Sequence, residues 1–182
     1  MIDTIIYYLG RISVFWRIFI PVVFFFAVML NREKYLDKAL NKTQAVYRTI
    51  FAPYFVFILV LTIFIRLPNN NFNFELVLFW SYREIIKNHD TELLIQNLYN
   101  IAIFVPFGFI VPQCGYKLKN KTVAVKETIL FGAGCSLIIE TVQLISKLGY
   151  FEFDDIFHNI AGVTVGAGIF LLLRKIKRRN TY

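Results

Sequence analysis

Five long apolar stretches dominate this chain and restrict what it can fold into. Each approaches or reaches the roughly 17–25 apolar residues that a helix needs to cross a bilayer core. We therefore predict an all-α fold: a polytopic transmembrane helix bundle with about five spans, forming a single membrane domain over residues 1–182. The predicted spans are Ile12–Leu30, Thr49–Ile65, Leu98–Cys114, Thr128–Ser146 and Ile156–Leu173.

Composition supports a membrane environment and argues against one class of partner. Hydrophobic residues make up 57% of the chain, whereas soluble proteins average about 45–50%. The net charge of +8 could suggest nucleic-acid binding. However, the basic residues lie in short runs beside apolar stretches, as cytoplasmic anchoring charges do. We expect membrane lipids as partners and no nucleic acid, and we interpret Cys114 and Cys135 as buried free thiols.

The first span is the weakest of the five because Arg17 and Pro21 interrupt it. With Arg11 and Arg17 before an apolar run, it also imitates a secretory signal peptide. No small-x-small cleavage site follows Leu30, so we expect the segment to be retained in the membrane.

The distribution of Lys and Arg between the loops predicts the orientation. The segment from Arg66 to Asn97 and the turn around Lys147 are poor in cations and contain more acidic residues. Cytoplasmic loops carry the excess of Lys and Arg. We therefore expect the N-terminus outside and the C-terminus inside. The cation-rich segments contain Arg32, Lys34, Lys38, Lys42 and Arg48, then Lys117, Lys119, Lys121 and Lys126, and finally Arg174, Lys175, Lys177, Arg178 and Arg179.

An aromatic segment precedes the third span. Phe72–Tyr82 is too short to cross a bilayer, and Trp80 and Tyr82 are residue types that favour the membrane–water interface. We predict an interfacial strip on the outer side. The stretch EIIKNHDTELLIQN that follows has partial helical periodicity and is expected to lie along the surface.

Polar residues inside the spans indicate a functional site, because ionisable groups in a bilayer are costly. Glu140 and Gln143 share one face of the fourth span, which Ser136 and Lys147 extend by one turn in each direction. Asp154 and Asp155 open the fifth span, Asn159 follows one turn later, and Asn100 lies early in the third. In the predicted topology this set occupies the outer third of the membrane: Asn100, Glu140, Gln143, Asp154, Asp155 and Asn159.

Structural interpretations compete at each of these positions. Asp154 and Asp155 could serve only as helix N-terminal caps. Glu140, Gln143, Asn100 and Asn159 could serve as interhelical hydrogen-bonding glue. His158 is expected at the interface rather than in the site.

Proline and glycine residues mark the same spans. Pro106 and Pro112 are expected to disturb the third span. Gly108 and the small-xxx-small pair Gly162 and Gly166 should allow helices to approach closely.

The text NIAIFVPFGFIVP, SLIIETVQL and FEFDDIFHNIAGVTVGAGIF resembles the VanZ-like family of small bacterial membrane proteins, over about residues 97–170. Residues 97–173 would form the motif core, and residues 1–66 two spans outside the resemblance. The segment after Arg66 fits the family pattern poorly. The family positions correspond to Asn100, Pro106, Gly108, Glu140, Gln143, Asp154, Asp155, Asn159 and Gly162.

The resemblance implies a multi-pass protein of the bacterial cell membrane, with a role in resistance to the glycopeptide teicoplanin or in envelope maintenance. Its partner would be a lipidated glycopeptide or a lipid-linked envelope precursor, held by Asn100, Gln143, Asp154, Asp155 and Asn159. An alternative is an enzyme acting on a lipid-linked substrate, with Glu140 as general acid or base and Asp154 and Asp155 either holding a divalent cation or orienting a donor. Another is a small transporter or flippase, favoured by helix breaks at the prolines. The sequence assigns no cofactor and no metal.

Overall fold

The computed structural model describes residues 14–66, 68, 71–115 and 121–179. Within them the chain forms two compact units. One contains the described residues before 67 together with 113–115, and the other contains those of 68–112 and 121–179. Arg11, Ile12 and the loop cations Lys117 and Lys119 lie outside the described residues.

The first unit is built from two long helices. Helix α1 (Val14–Leu36) and helix α2 (Lys42–Leu59) are joined by a short turn, and α2 continues into a π-helical turn at Val60–Phe64. Asn41 caps α2 in a reciprocal capping box with Gln44, which satisfies amide donors that a helix start leaves unpaired. The Trp16 ring lies 4.6 Å from the Phe64 ring.

The second unit contains the remaining elements. In chain order they are strand β1 (Asn73–Glu75), helix α3 (Trp80–Asn88), helix α4 (Thr91–Cys114), helix α5 (Lys121–Ile145), strand β2 (Tyr150–Glu152) and helix α6 (Phe153–Arg179). The last two residues of α4 belong to the first unit. There the Arg48 guanidinium donates from Nε to the Cys114 carbonyl oxygen at 2.8 Å, so a cation satisfies a carbonyl that the end of α4 leaves open.

The prediction of about five membrane spans in an all-α fold is confirmed. Within the described chain, five helices are long and apolar enough to cross a bilayer. The third begins at Thr91 rather than Leu98, because Asp90 accepts a hydrogen bond from the Leu93 amide at 2.9 Å and so caps the helix one residue ahead of it. The orientation of the termini stays a prediction.

The expected helix breaks at proline are absent. Helix α4 runs through both Pro106 and Pro112, and α1 runs through Arg17 and Pro21. Each proline removes one backbone donor, and transmembrane helices tolerate this loss when the rest of the ladder holds. The argument that broken helices favour a transporter therefore fails.

Helices α4 and α6 pack in parallel through glycine, as the small-residue pattern predicts. A Cβ built on Gly162 would collide with the Ile101 carbonyl oxygen, and one on Gly166 with the Val105 carbonyl oxygen. The residue numbers of the contacting pairs increase together along both helices, so the N-terminal ends of α4 and α6 lie side by side. Gly108 is equally close to Val163.

Helix α5 packs antiparallel to α6, because the turn between them is short. Lys147 adopts a left-handed conformation there (φ 54°), and the Leu148 amide donates back to the Gln143 carbonyl at 2.8 Å, as in a Schellman helix end. Lys147 therefore lies beyond the helix that carries Glu140, which ends at Ile145. Its ammonium lies 4.7 Å from the centre of the Phe72 ring.

Two short strands complete this end of the second unit. Strands β1 and β2 pair in parallel, with Phe74 opposite Phe151. The aromatic segment Phe72–Tyr82 thus forms a strand, a turn and the first residues of α3, and it does not span. The strands were not anticipated, because their pairing joins segments far apart in the chain.

Candidate functional site

Asp154 lies in the first turn of α6 but caps a different helix. Its carboxylate accepts hydrogen bonds from the backbone amides of Phe79 and Ser81, the latter at 3.0 Å, and from the Ser81 hydroxyl at 2.5 Å. Phe79 is the N-cap of α3, so the anion faces the positive end of that helix. Asp154 is 1% exposed, and it therefore fixes α3 to the start of α6.

The N-terminal half of α3 makes two further polar contacts. The Asn97 side chain on α4 donates to the Ser81 hydroxyl at 3.0 Å. Tyr82 and His158 share a hydrogen bond of 2.8 Å between the phenol oxygen and Nε2. His158 is 0% exposed, so the expectation of an interfacial histidine is wrong: its ring is enclosed against α3.

Asn100 and Asp155 meet between α4 and α6. The Asn100 amide donates to Asp155 Oδ1 at 2.6 Å, and both residues are partly buried. Because the two helices pack in parallel, Asn100 and Asp155 lie at a similar position along the helix axes. The neighbouring contact between these helices joins Ile101 and Gly162. Two of the predicted site residues are therefore direct partners.

Glu140 and Gln143 lie on the buried face of α5. Glu140 is 1% exposed, and its carboxylate accepts a hydrogen bond from the Glu152 amide at 3.2 Å, immediately before α6 begins. Gln143 is also buried. The Ser136 hydroxyl, one turn before Glu140 on α5, accepts a hydrogen bond from the Asn159 side-chain amide at 2.9 Å.

We call these residues the polar cluster. All lie in the second unit, where the N-terminal ends of α4 and α6 meet the C-terminal end of α5. The polar cluster consists of Asn97, Asn100, Ser136, Glu140, Gln143, Asp154, Asp155, His158 and Asn159.

Part of the hydrogen-bonding capacity of the polar cluster remains open. The buried atoms without a hydrogen-bond partner in the described chain include two in the polar cluster, His158 Nδ1 and Asn159 Oδ1. Buried polar atoms in folded proteins are almost always paired with protein, water or a ligand. These two atoms are therefore positions where a bound polar group would gain hydrogen bonds.

The two aspartates are not arranged as joint metal ligands. Asp154 is directed to α3 and Asp155 to Asn100. In the part of the chain that the structure describes, no group of three or more His, Cys, Asp or Glu side chains is placed to hold a metal ion.

Ser81 and Tyr82, which bond to members of the polar cluster, were missed by the sequence analysis. Both lie in the aromatic strip, and their partners Asp154 and His158 are more than 70 residues away in the chain. No periodicity signals such pairs.

The bond between Ser136 and Asn159 should couple α5 to α6. In a double-mutant cycle with Ser136→Ala and Asn159→Ala, we expect a coupling energy of about 0.6 kcal/mol, up to about 1.7, as for other transmembrane pairs. Thermal unfolding of the purified variants in detergent measures it. Thr141→Ala is the control partner, since Thr141 is exposed on α5 and bonds within its own helix. A coupling no larger than that of the control pair would contradict the described contact.

Comparison with known proteins gives one match. Residues 50–174 match the family model described as VanZ/LLP1. The match begins within α2 and so extends well beyond the motifs of residues 97–170. No curated protein and no solved structure matches the chain. With five helices able to cross a bilayer and a family match covering most of its length, this multi-pass membrane protein belongs to the VanZ/LLP1 family.

Proposed function

We propose that the polar cluster binds an amphiphilic envelope molecule at the outer face of a bacterial cell membrane and thereby lowers sensitivity to teicoplanin or maintains the envelope. One observation carries the proposal. Three helices bring buried polar side chains to one end of an otherwise apolar bundle, where His158 Nδ1 and Asn159 Oδ1 remain open to a partner. Side chains that served only as packing would be expected to satisfy one another.

The class of ligand follows from the surroundings of the polar cluster. Asn159 Oδ1 is a buried acceptor without a hydrogen-bond partner in the described chain, so the polar cluster favours a ligand that donates hydrogen bonds. The helices around it are apolar, which suits a ligand with a lipid tail that arrives through the membrane. A lipidated glycopeptide and a lipid-linked envelope precursor both have this combination.

The outward placement rests on charge. The cation-rich segment before Arg48 and the basic end of α6, with Lys177 and Arg179, would lie in the cytoplasm. The polar cluster lies at the opposite end of α6. Extracellular labelling of Asn88→Cys, at the exposed end of α3, tests this placement. Labelling only after the membrane is opened would contradict it.

Drug susceptibility tests the function. In a strain that lacks its own copy, expression of the wild-type chain should raise the inhibitory concentration of teicoplanin. It should have a smaller effect on a glycopeptide without a lipid tail. If susceptibility to teicoplanin and envelope integrity are both unchanged by the protein, the proposal is wrong.

A further inference from the structure

Helix α3 buries a polar side chain and exposes an apolar one. Ser81 is 1% exposed, whereas Ile86 is 75% exposed. In a water-soluble protein the apolar side chains of a surface helix face the core. Ile86 departs from that rule, although the polar Arg83 and Lys87 of the same helix are exposed as usual.

Three exposed apolar side chains of α3 lie on one side of the helix, which they share with the exposed Arg83. Phe79, Tyr82 and Ile86 are spaced by three and four residues, which places them on the same side of the helix, and all three are exposed. The turn before them also exposes apolar side chains, at Leu76, Val77 and Leu78.

This apolar face is continuous with the outer surface of α6. The Phe79 ring contacts the Phe157 ring edge to face, with centroids 5.1 Å apart, and it also contacts Tyr82 at 6.1 Å. Phe157 is exposed on a helix long and apolar enough to cross the bilayer. The exposed apolar surface of α6 therefore extends through Phe157 onto Phe79 at the start of α3.

The face is held rigidly. Asp154, Asn97 and His158 fix the N-terminal half of α3 through hydrogen bonds. A helix of nine residues is about 13 Å long at 1.5 Å per residue, which is too short to span. Such an element can lie at the boundary of the bilayer but cannot cross it.

We propose that α3 and the turn before it are embedded at the boundary between lipid headgroups and acyl chains, with Phe79, Tyr82 and Ile86 packed against acyl chains of the host bilayer. The continuity with Phe157 identifies lipid as the occupant of this face. The inference goes beyond the proposed function and does not depend on it, because it concerns the outer surface of α3 and not the polar cluster.

Single-cysteine labelling tests this placement. In a background with Cys114→Ser and Cys135→Ala, Ile86→Cys and the control Lys87→Cys are labelled with an environment-sensitive fluorophore. Each full-length variant is reconstituted into lipid vesicles that carry nitroxide groups at the headgroup or along the acyl chain. Lys87 is the matched control because it is exposed on a neighbouring face of the same helix.

The label at residue 86 should emit at shorter wavelength, and nitroxides just below the headgroups should quench its fluorescence. The label at residue 87 should respond less to these lipids and more to aqueous iodide. Equal iodide quenching at both positions, without lipid quenching at residue 86, would overturn the proposal.

A second copy of the chain is the competing occupant. With one copy per lipid nanodisc, the emission at residue 86 should remain at shorter wavelength. If the shift disappears under these conditions, the face is an interface between copies and the lipid proposal is wrong.

Discussion

Gly166→Ala is expected to destabilise the second unit by about 1–3 kcal/mol, the usual cost of overpacking. A Cβ at this position would overlap the carbonyl oxygen of Val105 and lie 2.8 Å from the Phe109 amide nitrogen. Both obstacles are backbone atoms of α4, so no side-chain rotation relieves them. The two helices must separate, and the contacts along their shared face weaken together.

Gly168→Ala provides the matched control. It lies two residues away on the same helix, and nothing lies within 4 Å of a Cβ built there. Because alanine favours a helix over glycine by about 0.5–1 kcal/mol, this variant should be as stable as wild type or more so. Thermal unfolding in detergent distinguishes the two variants. Equal stability of both would show that α4 and α6 do not approach as closely as described.

Asp154→Ala should strongly weaken the attachment of α3, because it removes the acceptor of three hydrogen bonds. The amides of Phe79 and Ser81 and the Ser81 hydroxyl would lose the carboxylate that caps α3. Hydrogen bonds to a charged group contribute about 1.5–3 kcal/mol each, and buried donors left unpaired are costly. Phe79 also adopts a left-handed backbone (φ 65°), a conformation that persists only when its surroundings enforce it.

The expected result is release of α3 with the long helices preserved. Protease should cut between residues 76 and 90 faster than in wild type, while helical content changes little. Asp90→Ala is the control, because it removes an exposed cap of α4 with a single described bond and should cost about 1 kcal/mol. If Asp154→Ala leaves the cleavage rate at that of the control, the carboxylate does not hold α3.

The helices could be predicted from the sequence because their signal is local. Hydropathy alone locates all five candidate spans, since a bilayer requires a continuous apolar run. The glycine contacts between α4 and α6 follow from the same kind of pattern, as Gly162 and Gly166 lie one turn apart on one face. The tolerance of α4 for Pro106 depends on the surroundings of the helix, and the pattern of residues along the sequence does not show those surroundings.

The candidate site was only partly predictable. Residue types placed Asn100, Asp155 and Asn159 on inward faces at one end of the spans, and the structure pairs the first two. Asp154 was interpreted as a cap of its own helix, as a ligand of a divalent cation or as a residue that orients a donor, and the structure shows it accepting from donors at the start of α3. The pairing of β1 with β2 and the bond between Tyr82 and His158 were missed for the same reason, because each joins segments separated by more than 70 residues.

The central question is whether the polar cluster binds a ligand or only joins helices through hydrogen bonds. Asp155→Asn and Glu140→Gln separate the two, because each variant keeps the described geometry while removing a charge. An amide oxygen at position 155 can still accept from Asn100, and one at position 140 can still accept from the Glu152 amide. Packing should therefore survive, whereas recognition of a hydrogen-bond-donating ligand should not.

The most direct measurement is teicoplanin susceptibility of a strain that lacks its own copy and carries either variant, with folded membrane protein matched to wild type. Matching matters because a buried polar change can also destabilise the bundle. We predict that wild type protects and that both variants, folded and equally abundant, lose the protection. Protection by both variants equal to that of wild type would contradict the account and make the polar cluster a packing feature.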